Sequence, residues 1–128
     1  SVHHVRVIIV EDNPLVALDI AEEVEGAGAE VVGISQSGGL ASALIEALQP
    51  DLVFLDYTLS DEVTGADVAI GLGWTGPVCV FVTGAPESLP ARLVERWPVL
   101  LKPITGAEIR RVLEYVRGLS DIEAPTDG

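Results

Sequence analysis

Three carboxylates, a hydroxyl and an ammonium group each directly follow a short apolar run of this 128-residue chain. Glu11 and Asp12 follow the first run, Asp56 the third, Thr83 the fourth and Lys102 the fifth. Neighbouring carboxylates repel one another unless a cation neutralises them, and oxygen ligands are those that Mg²⁺ prefers. A hydroxyl and an ammonium group beside such a cation suit the oxygens of a transferred phosphoryl group. Each residue alone is weak evidence, because acids often only cap helices and a lone lysine is ordinarily a surface residue.

The apolar runs themselves have the pattern of strands in a parallel sheet. They are rich in β-branched residues, mostly lack polar alternation, and are separated by segments long enough for a crossover helix. The runs are Val7–Val10, Val31–Ile34, Leu52–Leu55, Val78–Val82 and Val99–Leu101. We therefore predict an α/β fold, a doubly wound five-stranded parallel sheet with five helices. Sites of such folds lie beyond the carboxyl ends of the strands, where the five polar side chains would converge.

Three of the five predicted helices have clear signals. Asn13-Pro14 begins the first, the second ends before Pro50, and Thr105 with Glu108 forms a capping box at the start of the last. The two weak helices are the third, over 66–72, and the fourth, over 91–97. Glycines bracket and interrupt the third helix, and prolines bound the fourth. A short helix with few core anchors can move, so we expect the fourth to be a mobile element.

The length of the chain predicts one domain, over residues 5–118, followed by a flexible polar tail over 119–128. No stretch approaches the ~20 apolar residues of a membrane span, and no signal peptide precedes the first run. The single cysteine, Cys79, lies inside an apolar run and is expected to be a buried thiol. These features favour a cytoplasmic protein without a membrane partner.

The net charge of −13 argues against direct binding of nucleic acid, because such binding rests on neutralising phosphates with lysine and arginine. The charge is also uneven, since of the seven basic residues only Arg6 lies outside 92–117. Solvated helix faces explain this most simply, and a face that docks a downstream protein or a second copy of the chain is the sharper hypothesis.

The motifs VIIVEDNP, DLVFLD, VFVTG and LLKP resemble those of the response-regulator receiver (CheY-like) family, over residues 5–118. The resemblance implies that Asp56 accepts a phosphoryl group from the phosphohistidine of a sensor histidine kinase or phosphotransfer protein. Thr83 would then hydrogen-bond one phosphoryl oxygen and Lys102 would pair with another. It also implies a cis peptide bond between Lys102 and Pro103.

The resemblance further implies a Mg²⁺ ion near the acceptor. Asp12 and Asp56 would bind it directly, Glu11 mainly through water, and Thr58 through its backbone carbonyl. The phosphoryl group would draw the Thr83 hydroxyl towards it, and the weak fourth helix would move, with the basic 92–117 region as the surface that a partner recognises.

Two departures from the common receiver pattern bear on switching. Many receivers have an aromatic residue three positions before the lysine, where this chain has Val99. The stretch PVCVFVTG resembles instead a variant subgroup with a Pro-Phe-x-Phe-Ala-Thr-Gly-like fourth strand and no such aromatic. In receivers, the residues two positions after the acceptor and two after the threonine tune the rate of autodephosphorylation. Here they are Thr58 and Ala85, and neither is an obvious group for positioning water, so we expect a comparatively long-lived phosphoryl state.

We therefore predict a phosphorylation switch and not an enzyme. The alternative is a phosphorylation-independent receiver-like module for protein interaction, which only the missing aromatic supports. A flavodoxin-like cofactor binder is disfavoured, because the acidic loop after the first run would repel a phosphate. A haloacid-dehalogenase-like hydrolase would need an Asp-x-Asp arrangement there, which is absent.

Overall fold

The computed structural model describes residues 4–57, 67–68, 71 and 76–123. Its strands form one sheet in the order β2-β1-β3-β4-β5, and every neighbouring pair is parallel. The strands are β1 (Arg6–Val10), β2 (Glu30–Ser35), β3 (Leu52–Asp56), β4 (Val78–Thr83) and β5 (Val99–Leu101). The predicted five-stranded parallel sheet is confirmed. Strand order reverses between β1 and β3, so these two strands flank the topological switch point.

The described helices lie in the segments between the strands. They are α1 (Pro14–Gly26), α2 (Gly38–Leu48), α3 (Ala91–Arg96) and α4 (Gly106–Glu123), and a short 3-10 helix spans Pro86–Ser88. Of the predicted helix over 66–72, Asp67, Val68 and Gly71 are helical, and the other residues lie outside the described part.

The predicted helix caps are present. The Asn13 side chain accepts hydrogen bonds from the backbone N–H groups of Leu15 and Val16 at 3.0 and 3.4 Å. At the start of α4, Glu108 N–H donates to Thr105 Oγ1 at 3.2 Å, while Thr105 N–H donates to Glu108 Oε1 at 3.1 Å. Each cap satisfies backbone donors that the first helical turn leaves without a partner.

Helix α4 differs from the prediction at its end, because it continues past the expected boundary at Gly118 to Glu123. A single glycine only weakens a helix, and the next residue that stops one is Pro125. The prediction therefore placed the start of the flexible tail too early, because 119–123 are helical. The remaining residues of the predicted tail, 124–128, lie outside the described residues.

Two apolar clusters cover the two faces of the sheet. The first cluster lies under α1 and α4, with Ile20 and Leu113 among its members. The second lies under α2 and includes Phe81 and the two residues Leu89 and Trp97, which precede and follow α3. Strand residues alternate between them, as a pleated strand covered on both sides requires. Cys79 is buried in the second cluster, as predicted. In the described part, no helix combines the length and apolar character needed to cross a membrane, and the cytoplasmic location stays a prediction.

Candidate functional site

Backbone hydrogen bonds fix the strand ends that carry the predicted site residues. Glu11 N–H donates to the carbonyl of Ser35 at 2.9 Å, which ties the end of β1 to β2. Lys102 N–H donates to the carbonyl of Thr83 at 2.9 Å and joins the ends of β5 and β4. Asp56 is the last residue of β3 and pairs in register with Val82. The polar side chains are therefore mounted on adjacent ends of one rigid sheet.

The three predicted acidic residues come together at the switch point. One carboxylate oxygen from each of Glu11, Asp12 and Asp56 lies within 4.8 Å of the others. Glu11 is only 1% exposed and Asp56 2%, whereas Asp12 is partly exposed. Burying a charged group without compensation is costly, so this arrangement calls for a cation.

Lys102 provides part of the compensation. Its Nζ lies 3.0 Å from Glu11 Oε1 and 3.3 Å from Asp56 Oδ2. Lys102 therefore forms an ion pair with each of the two buried carboxylates. Burial works to lower the pKa of Lys102, but its partners Glu11 and Asp56 outweigh burial and raise that pKa above its ordinary value. The ammonium group therefore stays charged.

One ammonium group does not balance the carboxylates. Burial, reinforced by the hydrogen bond with Asp56, raises the pKa of Glu11 to about 7. The Asn13 N–H, which donates to Glu11 Oε2 at 3.1 Å, and Lys102 both oppose this rise. Three carboxylate oxygens within 4.8 Å of one another, two of them from almost fully buried residues, fit a hard divalent cation such as Mg²⁺.

Thr83 is buried at the end of β4, one residue beyond the register partner of Asp56. Its Oγ1 accepts a hydrogen bond from Ala85 N–H at 3.0 Å, which holds the following loop against the strand. This bond uses the hydroxyl as an acceptor, so its own O–H can donate to an oxygen at the site. The peptide bond between Lys102 and Pro103 is cis, as the resemblance implies.

The structure thus brings the carboxylates of Glu11, Asp12 and Asp56 together, pairs Lys102 with Glu11 and Asp56, and ends β4 in Thr83. Thr58, the predicted carbonyl ligand, lies outside the described residues. The chemical roles of all these site residues remain predictions.

Sequence reasoning missed Tyr57, which follows Asp56. Its ring packs edge-on against Phe81, with ring centroids 6.1 Å apart and ring planes at 87°. The available signal was an aromatic residue directly after the third strand run.

No protein-family model matches the chain. The phyllosphere-induced regulator PhyR of Methylorubrum extorquens is 32% identical over 111 residues, which are 84% of this chain and 42% of that protein. The crystal structure of the response regulator PhyR from Brucella abortus is 29% identical, has a TM-score of 0.78, and matches 94% of this chain and 50% of that one.

The solution structure of the PhyR response regulator REC domain from Erythrobacter litoralis is 25% identical with a TM-score of 0.80. That match covers 98% of this chain and 97% of that one. The chain spans about half the length of the curated relatives it matches.

Proposed function

Because this chain is a CheY-like receiver domain of the response-regulator family, we propose that it is a phosphorylation switch whose acceptor is Asp56. The observation that carries the proposal is the set of Glu11, Asp12 and Asp56 oxygens within 4.8 Å at the β1/β3 switch point, with Lys102 bridging two of them. An interaction surface alone would not require this concentration of buried charge.

The proposed reaction moves a phosphoryl group from a phosphohistidine to Asp56. An Asp56 carboxylate oxygen forms a bond to phosphorus while the bond from phosphorus to the histidine nitrogen breaks, and the nitrogen keeps the electron pair. Lys102 Nζ, already 3.3 Å from Asp56 Oδ2, pairs with one phosphoryl oxygen. The Thr83 O–H donates to another. Both groups act on charge that the transferring phosphoryl oxygens carry.

We propose that Asp12 and Asp56 hold the metal directly, Glu11 through water, and Thr58 through its carbonyl. When bound, Mg²⁺ supplies positive charge that neutralises the phosphoryl oxygens. The chain's part is to keep the donors in place: Asn13 N–H fixes the Glu11 carboxylate, and the end of β3 fixes the backbone of Asp56.

The phosphoryl donor is a protein, a sensor histidine kinase or a phosphotransfer protein, and we propose that it docks on the exposed leucines of α1. Leu15 is 73% exposed and Leu18 52%, one turn apart on the helix that begins directly after the acidic pair. Exposed leucines beside a charged site suit a donor whose own helix must bring its phosphohistidine to Asp56.

The readout side is the face formed by α3, β5 and α4, which we call the output face. Helices α3 and α4 carry the five arginines of 92–117, and the face has three exposed apolar side chains, Val94, Leu101 and Tyr115. Basic and apolar groups together suit a downstream protein partner with an acidic surface, and the same face permits a homodimer.

Intact-mass spectrometry after incubation with acetyl phosphate and Mg²⁺ tests the proposal. The parent chain should gain one phosphoryl mass, while Asp56→Asn and a metal-chelated sample should not. If acetyl phosphate fails, the same measurement is made with phosphorylated histidine kinases and phosphotransfer proteins as donors. Failure with every donor would favour the phosphorylation-independent interaction module.

A further inference from the structure

Tyr57 directly follows β3 and contacts β4 on the side of the sheet that carries the second cluster. Its N–H donates to the carbonyl of Val82 at 3.1 Å, so the backbone directly after Asp56 is tied to β4. Its half-buried ring forms a T-shaped contact with the ring of Phe81. Such ring pairs stabilise beyond the area they bury and have a defined geometry.

Strand alternation aligns this contact with Thr83. Leu55 and Phe81 are register partners, and Tyr57 and Thr83 each follow two residues later, so all four side chains belong to one face. A shift of Thr83 towards a phosphoryl group therefore acts on the strand end that carries Phe81. The ring of Tyr57 packs against Phe81 of that strand, one residue after Asp56 in the chain.

The second cluster extends from this contact to α3. Tyr57 packs against it, and its buried members include Phe81, Leu89 and Trp97. Leu89 precedes α3 and Trp97 follows it, whereas none of the described side chains within α3 is buried. The residues on either side of α3 therefore share a packed cluster with Tyr57 and Phe81. Close packing transmits small displacements across such a cluster.

The position that is aromatic in many receivers carries Val99, which packs against the same cluster and pairs in register with Phe81. We propose that the Tyr57–Phe81 ring pair carries the phosphorylation signal from Asp56 through the second cluster to α3. The inference deepens the proposed function and rests on it, since it describes how the phosphorylated site moves the output face. The ring, and not the hydroxyl, is the transmitting group, because the contact with Phe81 is between rings.

The test uses Trp97 as a reporter of α3. The chain has two tryptophans, so Trp74→Phe leaves Trp97 as the sole fluorescent indole. Acrylamide quenching of Trp97 and intact mass are measured on the same samples, with and without acetyl phosphate and Mg²⁺. Phosphorylation should change the quenching constant in this background. Tyr57→Leu should abolish the change while retaining the gain in phosphoryl mass, and Tyr57→Phe should preserve both.

Phe54→Leu is the matched control, because it removes a ring from the same strand on the side of the first cluster. It should lower stability but retain the Trp97 response. An undiminished response in phosphorylated Tyr57→Leu, or no response in the phosphorylated Trp74→Phe background, would overturn the relay. Loss of the response in Phe54→Leu as well would also overturn it, since any core change would then suffice. Absence of a phosphoryl gain in the parent with acetyl phosphate and with every protein donor would overturn the proposed function and the relay together.

Discussion

At the scale of single residues, the site is defined by an imbalance of charge. Lys102 Nζ lies between Glu11 and Asp56, at 3.0 and 3.3 Å, where it stabilises two buried carboxylates. We expect its positive charge to compete with a divalent cation for these carboxylates. The residue types and their order could be predicted from the sequence. The bridging by Lys102 and the raised pKa of Glu11 could not, because both depend on burial and on distances that the tertiary fold sets.

Removing this competing charge should strengthen metal binding. We expect Lys102→Met to bind Mg²⁺ about tenfold more tightly, equivalent to about 1.4 kcal/mol, measured by isothermal titration calorimetry. Arg117→Met, which removes a charge from the part of α4 near Gly28, should leave the affinity unchanged. Weaker binding in Lys102→Met would show that Lys102 organises the carboxylates and does not compete for them.

Cys79 provides a residue-scale test of the second cluster. Burial raises the pKa of its thiol to about 12, against a small opposing effect of Arg96. The thiol thus stays largely protonated up to about pH 10. Alkylation of the native protein should be much slower than that of the unfolded protein and should still be rising with pH at about pH 10, whereas in urea the rate should level off above about pH 8.5. Equal pH profiles for the native and unfolded protein would contradict the burial.

At the scale of secondary-structure elements, the strands were predictable because buried parallel strands are short β-branched runs, and the caps because they are local. Other features depend on distant partners. Arg6 Nη1 donates to the carbonyls of Leu48 and Gln49 at 2.6 and 2.9 Å and so caps the end of α2 from β1. No local pattern specifies that contact. The extension of α4 to Glu123 likewise shows that one glycine is a weak boundary signal.

Two glycines should respond oppositely to alanine. A Cβ at Gly33 in β2 would lie 3.0 Å from Leu44 Cδ2 and 3.3 Å from Leu48 Cδ1, whereas at Gly118 in α4 it would meet nothing within 4 Å. We expect Gly33→Ala to lower the free energy of unfolding by about 1 kcal/mol through crowding against α2. Gly118→Ala should raise it by about 0.5–1 kcal/mol through helix propensity.

Urea unfolding with linear extrapolation measures both variants. A stabilised Gly33→Ala would show that α2 does not pack closely over β2, and a destabilised Gly118→Ala would indicate that α4 is not helical at that position.

At the scale of the whole molecule, the acidic site, the exposed leucines of α1 and the output face occupy different parts of one domain. The net charge is −13, and five of the six arginines lie in α3 and α4. The donor and the downstream partner can therefore recognise different surfaces, as a switch requires.

If the donor docks on α1, outside the acidic site, substitutions on α1 should impair phosphotransfer from a protein donor but not phosphorylation by a small molecule. Leu15→Ser with Leu18→Ser should slow phosphotransfer from a phosphohistidine protein at least about fivefold, the effect of losing about 1 kcal/mol of docking energy. Phosphorylation by acetyl phosphate should be unchanged. Leu40→Ser is the control, because Leu40 is 70% exposed on α2, whose buried side faces the second cluster. Equal slowing by the control would refute docking on α1.

The central claim is that Asp56 itself receives the phosphoryl group. Borohydride reduction of the phosphorylated chain, followed by peptide mass mapping, converts a phosphorylated aspartate to homoserine and so marks its position. We predict homoserine at position 56 of the chain treated with acetyl phosphate and Mg²⁺, and none without the phosphoryl donor. Homoserine at position 12, or an unmodified Asp56 in a chain that has gained a phosphoryl mass, would contradict the account.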